Sequence, residues 1–320
     1  MSEAETGLQR VGLDKWGKLP RPLAPLKGRK PEAPAWFDEA MALPVIEHRI
    51  AVDSAEIEAL SWGDPKAPPV LLLHGSMAHA RWWNPVAPLL SKDHHVIAMS
   101  FAGMGGSQWR DKYSTTQMAR EAMGVAEALS MFDGPAKPVL ISHSFGGKAA
   151  SIVAADHGDK FAGTVFVDSF ILPGLEIGGN PPPYRHREYE TIADAITRFR
   201  LSPDQPSGEL YILDAIARGG IVKRHGAWTW CFDPDFFHKI EFENTWDEAR
   251  RSLCPLAFIR GEHSPIATRA DFALQRANMR SDSIFIEIPE AYHHIMVDQP
   301  LALTATLRAI IAFWSLPDAK

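Results

Sequence analysis

Short, unbroken apolar runs recur along the chain: PVLLLHG (69–75), HVIAMSFAG (95–103), PVLISHS (138–144), GTVFVDS (163–169) and PLAFIRG (255–261). A strand with one wet face would alternate apolar and polar residues; these runs do not, as parallel strands covered on both faces do not. Between two of them, TQMAREAMGVAEALSMF (116–132) spaces Met118, Ala122, Val125, Ala126 and Leu129 along one face of a helix. Strand alternating with helix predicts an α/β domain on a mainly parallel sheet. VIEHRIAV (45–52) and EALSWG (58–63) predict an antiparallel start to that sheet. SIFIEIP (283–289) and the helix LALTATLRAIIAFW (301–314) close it, for eight strands in all.

The pattern fails in two places. Residues 1–44 carry scattered prolines and little periodicity, which predicts an extended arm lying across the body or against a second subunit. Residues 171–250 mix loop signals (PGLEIGGNPPPY), a helical stretch (YETIADAITRFRL) and an aromatic-rich segment (WTWCFDPDFF). They read as an inserted, mostly helical lid over the carboxyl end of the sheet, so that the core domain is 45–170 with 251–320.

Composition narrows the function classes. With 46% hydrophobic residues in 320 the chain has ample material for a buried core, and a disordered chain is excluded. A formal net charge of −6 without long runs of one sign argues against nucleic-acid binding. No apolar stretch is long enough for a membrane span, and MSEAETGLQRVGLDKWGKLP lacks a secretory apolar run, so a cytoplasmic location is expected. Cys231 and Cys254 have neither disulfide-scaffold nor metal-site spacing, and His94 and His95 lack nearby ligands; no metal and no cofactor are expected.

The chemistry concentrates at ISHSFGG (141–147), where an apolar strand turns sharply into the helix KAASIVAAD. A residue exposed on such an elbow needs small neighbours two positions away on each side, and Ser142 and Gly146 supply them. The motif resembles the G-x-S-x-G elbow of the α/β-hydrolase superfamily, with Ser142 in place of the first glycine. The resemblance spans residues 45–315 and makes Ser144 the nucleophile, which needs a histidine base. It also implies an oxyanion hole from the backbone N–H groups of Phe145, next to the nucleophile, and of Ser76, in the turn after PVLLLHG. His74 and His143 are read as loop-shaping residues.

EAYHHIMVDQP (290–300) resembles the superfamily's histidine loop, with Tyr292 in the usual glycine place; alignment on Pro300 makes His293 the base, with His294 as competitor. The acid is harder to place. GEHSP (261–265) puts Ser264 where most relatives carry aspartate, and a hydroxyl cannot balance the imidazolium that forms. Asp168, ending GTVFVD one strand over, is the preferred acid, since adjacent parallel strands are only about 4.8 Å apart and an acid there can approach the same histidine. Glu262, two residues before Ser264, is the alternative.

The aromatics of the insertion (Tyr184, Tyr189, Phe199, Trp228, Trp230, Phe232, Phe236 and Phe237), with Trp82 and Trp83 after the oxyanion turn, suit an apolar or aromatic substrate. Trp82, Trp83, Trp228 and Trp230 are the candidate pocket residues; Arg185, Arg187, Lys223 and Arg224 could take a substrate carboxylate. The leading expectation is a cofactor-independent serine hydrolase of carboxylic esters or lactones. Carbon–carbon bond hydrolysis of an aromatic-degradation intermediate, and a ligand-binding member of the fold without turnover, are the alternatives. The partner expected is a small-molecule substrate, with a homodimer through arm or lid left open.

Overall fold

Eight strands form one sheet in the computed structural model, which describes residues 21–169, 171–172 and 187–316. They are β1 (Ile46–Val52), β2 (Ala55–Trp62), β3 (Pro69–Leu73), β4 (His95–Met99), β5 (Val139–His143), β6 (Gly163–Val167), β7 (Leu256–Gly261) and β8 (Ile284–Ile288). Their spatial order is β1-β2-β4-β3-β5-β6-β7-β8. β2 is antiparallel to β1 and β4, and every other neighbouring pair is parallel. Val70 to Leu73, Val96 to Met99 and Leu140 with Ile141 are completely buried, which is why those runs show no polar alternation.

The helices in chain order are α1 (Ala35–Met41), α2 (Ala87–Leu90), α3 (Thr115–Ala128), α4 (Gly146–His157), α5 (Ile192–Ile196), α6 (Leu210–Gly219), α7 (Phe236–Lys239), α8 (Trp246–Arg250), α9 (Arg269–Asn278), α10 (Ile295–Asp298) and α11 (Pro300–Trp314). α3 starts where the Ser114 hydroxyl accepts the Gln117 N–H, an N-cap. α3 buries the expected face through Met118, Ala122, Val125 and Ala126. No helix among the described residues is long and apolar enough to cross a membrane.

Between β6 and β7 the described part of the insertion is not mostly helical. The helices α5 to α8 are short, and Ile221–Arg224 pairs antiparallel with Ala227–Trp230. Its two-residue turn, His225 at φ 48° and Gly226 at φ 89°, has both residues left-handed, as a tight hairpin favours. Ile240–Glu241 then pairs in parallel with Tyr113–Ser114 of the core. Beside that seam, buried Asp233 accepts from Tyr113 Oη (2.8 Å) and Lys239 Nζ (2.8 Å), and its N–H donates to the Gly103 carbonyl (2.7 Å).

The described part of the arm is not extended throughout either. Trp36, Phe37 and Ala40 fall at helical spacing on α1, and Leu23 and Phe37 are buried. Phe37 meets Tyr211 of α6 edge-on at 4.9 Å, and Arg218 donates to the Gly28 carbonyl at 2.8 Å. The arm therefore packs on the insertion of its own chain.

Candidate active site

The turn after β5 carries Ser144 at φ 51°, a left-handed conformation that a non-glycine residue adopts at some cost. The Ser144 N–H donates to the Val167 carbonyl of β6 (3.0 Å), and α4 begins two residues later. A Cβ at Gly146 would stand 2.5 Å from the His74 carbonyl, so only glycine lets the elbow lie against the turn after β3. That turn is close to the serine: a Cβ built on Gly75 would be 3.1 Å from Ser144 Cβ. Ser76 follows, half-buried, and Phe145 occupies the N-cap of α4, where backbone N–H groups lack partners within the helix.

His74 shapes this turn. Its Nε2 accepts the Phe101 N–H (3.0 Å), which leaves Nδ1–H to donate to the Gly75 carbonyl (2.6 Å). Burial pushes its pKa down to about 4, so the ring is neutral.

His293 reaches the elbow from the loop before α10. Its Nδ1 lies 2.8 Å from Asp168 Oδ1, both residues being buried. With the proton on Nδ1 shared with that carboxylate, Nε2 keeps its lone pair. The competitor His294 makes no bond to Asp168; its ring lies against Trp82 (5.1 Å), His293 (4.8 Å) and His143 (5.6 Å). Both His294 ring nitrogens are buried. Burial, with His293 and His143 adding to it, pushes the His294 pKa well below the usual histidine range. His143 is buried likewise, and its Nε2–H donates to the His293 carbonyl (3.0 Å).

The acid sits where the strand ends. Asp168 follows β6 at φ 47°, and its N–H donates to Ile259 of β7 (2.7 Å). Its carboxylate takes three donors: His293 on Oδ1, Ser264 Oγ on the same oxygen at 2.5 Å, and the Gly261 N–H on Oδ2 at 2.8 Å. Ser264 Oγ in turn accepts the N–H groups of Ile266 and Ala267, both at 3.1 Å. A side chain on Gly261 would overlap the carbonyls of Ala291 and Tyr292, so glycine there admits the histidine loop. Glu262 does not face the histidine. Its carboxylate accepts the Glu290 N–H and lies near Arg269 and His263, at the surface.

Of the four candidate pocket tryptophans, Trp82 alone contacts a site histidine through its ring. Trp83 is wholly buried in the core, and Trp230 packs on Phe199 and Tyr189 within the insertion. Trp228 carries Lys223 over its ring at 5.8 Å within the hairpin, and Arg224 lies over Trp109 of the core at 4.1 Å, so each cation stacks on a tryptophan. Tyr184 and Arg185 lie outside the described residues. Phe145 meets Phe236 (6.2 Å) and Phe242 (5.8 Å), which brings insertion aromatics to the elbow.

One ring nitrogen from each of His143, His293 and His294 lies within 4.8 Å of the others, a grouping that could hold a metal ion. No sequence spacing foretold it, because His143 ends β5 and the other two lie in the loop before α10, brought together only by the fold.

A strained serine on a strand-to-helix turn, whose preceding residue His143 bonds the carbonyl of a histidine held by a buried carboxylate, has a counterpart in sequence. The chain matches the alpha/beta hydrolase family over residues 70–307. It belongs to that family. It is 25% identical over 290 residues to the esterase Rv0045c of Mycobacterium tuberculosis, an alignment covering 84% of this chain and 90% of that protein. A serine hydrolase-like protein of Homo sapiens is 28% identical over 153 residues, 46% of this chain and 73% of that protein. Among solved structures the fold is similar to the thioesterase domain from the curacin biosynthetic pathway, with a TM-score of 0.69 and 21% identity over 84% of this chain and 99% of that one. The crystal structure of Rv0045c aligns with a TM-score of 0.66, 21% identity and 87% and 97% coverage. The family member described here is thus a hydrolase.

Proposed function

We propose that this hydrolase cleaves a carboxylic ester or lactone of an apolar or aromatic small molecule through an acyl-enzyme. The observation that carries the reading is the 2.8 Å bond between His293 Nδ1 and Asp168, which leaves Nε2 of a buried imidazole free as a base beside the Ser144 elbow. In this reading His293 Nε2 takes the Ser144 proton as Oγ attacks the carbonyl carbon. The N–H groups of Ser76 and Phe145 receive the charge that grows on the carbonyl oxygen. His293 returns the proton to the leaving alcohol, and water then releases the acid by the same route. Asp168 holds the ring and balances the imidazolium throughout.

The likeness to the esterase Rv0045c supports an ester substrate. Trp82 beside His294, and Phe236 and Phe242 against Phe145, give the proposed acyl or alcohol site its apolar character. The segment between β6 and β7 is read as a lid. The Asp168 carboxylate on His293 supports turnover over the alternative of a fold member that only binds ligand.

The test is labelling with a fluorophosphonate together with turnover of short-chain and aryl esters. The wild type should label and turn over, and Ser144→Ala should do neither. Labelling that persists in Ser144→Ala rules out the nucleophile, and a wild type that hydrolyses no ester rules out the activity.

A further inference from the structure

The backbone around His293 is held by side chains on three sides. His143 Nε2 donates to the His293 carbonyl (3.0 Å). Before it, the Tyr292 N–H donates to Asp298 Oδ2 (2.8 Å); after it, the His294 N–H donates to Gln205 Oε1 (2.9 Å). The amide of that same glutamine is 2.8 Å from both carboxylate oxygens of Asp298. Two of the three anchors thus meet at one buried side chain, and it belongs to the insertion rather than the core. Gln205 lies between α5 and α6 in a stretch with no helix or strand of its own.

We propose that Gln205 is a positioning residue that couples closure of the insertion to alignment of the His293 base. With the insertion seated, the Gln205 amide bridges His294 N–H and Asp298, and the loop carrying His293 is braced on both sides. With it lifted, the His294 N–H and the Asp298 carboxylate lose their shared partner while Ser144 stays in place, since the elbow rests on β3 and β6. The serine would then lack an aligned base until the insertion closes over substrate. This rests on the reading of His293 as the base.

Asp298 is the acidic end of the brace. Burial pushes its pKa up to about 6, the Tyr292 N–H and Gln205 oppose that, and Glu209 of the insertion and Asp168 after β6 add to it. Glu290 lines the same open cleft of about 340 Å³ with Glu209, Tyr292 and Asp298.

Two substitutions test the coupling. Gln205→Ala should lower kcat on an aryl ester by roughly 10- to 100-fold, the scale of a misplaced catalytic group, with KM unchanged. Gln205→Glu keeps an acceptor for the His294 N–H but sets a second carboxylate against Asp298. Its activity relative to wild type at the same pH should be low at about pH 8 and rise towards about pH 6, as one proton comes to be shared. A wild-type kcat in Gln205→Ala overturns the proposal. So does a Gln205→Glu deficit that is constant with pH, which is what simple loss of packing would give.

Hydrogen exchange of the 290–299 segment, measured in Ser144→Ala with and without Gln205→Ala, needs no turnover. Faster exchange at Tyr292 and His294 is expected on loss of Gln205, and unchanged exchange overturns the brace. Faster exchange on loss of Gln205, found together with a wild type that hydrolyses no ester, would instead overturn the proposed activity and leave the brace standing.

Discussion

Ser264 donates to the same Asp168 oxygen that receives His293 Nδ1–H, so the hydroxyl at the end of β7 holds in place a carboxylate carried by β6. The two residues bear unequally on the proposed reaction. Asp168→Asn would present an amide N–H or a poorer acceptor to His293 and favour the wrong tautomer, so kcat should fall by about 10⁴-fold. Ser264→Ala leaves the charge and removes one charge-assisted bond; its loss should be roughly tenfold, since such a bond is worth about 1.5–3 kcal/mol and only part of that aligns the ring. Glu262→Gln should leave kcat unchanged, because that carboxylate bonds the Glu290 N–H at the surface. Steady-state hydrolysis of an aryl ester by the three variants ranks them, and an Asp168→Asn enzyme as active as Glu262→Gln would reject the assigned acid.

The elements that support the site are tied together by one buried acid. Glu58 on β2 accepts from Arg81 (2.8 Å), Ser100 Oγ (2.8 Å) and the Gly106 N–H (2.9 Å), and Ser100 Oγ also accepts the Ala80 N–H behind the oxyanion turn (2.9 Å). Burial would raise the Glu58 pKa, but Arg81 and the donors together hold it down to about 2. A carboxyl group depressed from 4.5 on folding adds stability that is present above 4.5 and lost as the pH falls towards 2. Glu58→Gln should therefore cost about 3 kcal/mol at neutral pH, and the gap to wild type should narrow below about pH 4.5. Urea midpoints at several pH values measure it; a gap that does not change with pH would deny the carboxylate this role. The strands, the elbow and Asp168 were legible because apolar runs, small neighbours and chain spacing are local properties. The hairpin of Ile221–Arg224 and Ala227–Trp230 was missed although His225-Gly226 marks its turn, because the aromatics of WTWCF were read as pocket rather than as pleat. Ser264 on Asp168 and Gln205 on Asp298 join residues far apart in the chain, and no local pattern encodes such contacts.

Across the whole molecule, arm, insertion and core are stacked in an order that bears on closure. Residues 21–44 have no strand in the sheet; α1 turns Phe37 onto Tyr211 of α6, and Trp36 meets the same ring at 6.3 Å. α6 follows directly after the 197–209 stretch that carries Gln205, so the arm packs on the helix next to the segment that meets the histidine loop. Phe37 is buried, and truncating a buried phenylalanine costs about 3–5 kcal/mol. If the arm holds the insertion down, the loss in Phe37→Ala falls first on the insertion rather than on the sheet. Limited proteolysis should then cut within residues 197–209, where Ser202, Asp204, Pro206 and Gly208 are exposed, well before any cut in β3 to β7. An insertion that resists protease as well in Phe37→Ala as in wild type, despite a lower urea midpoint, would show that the arm stabilises the chain without holding the insertion down.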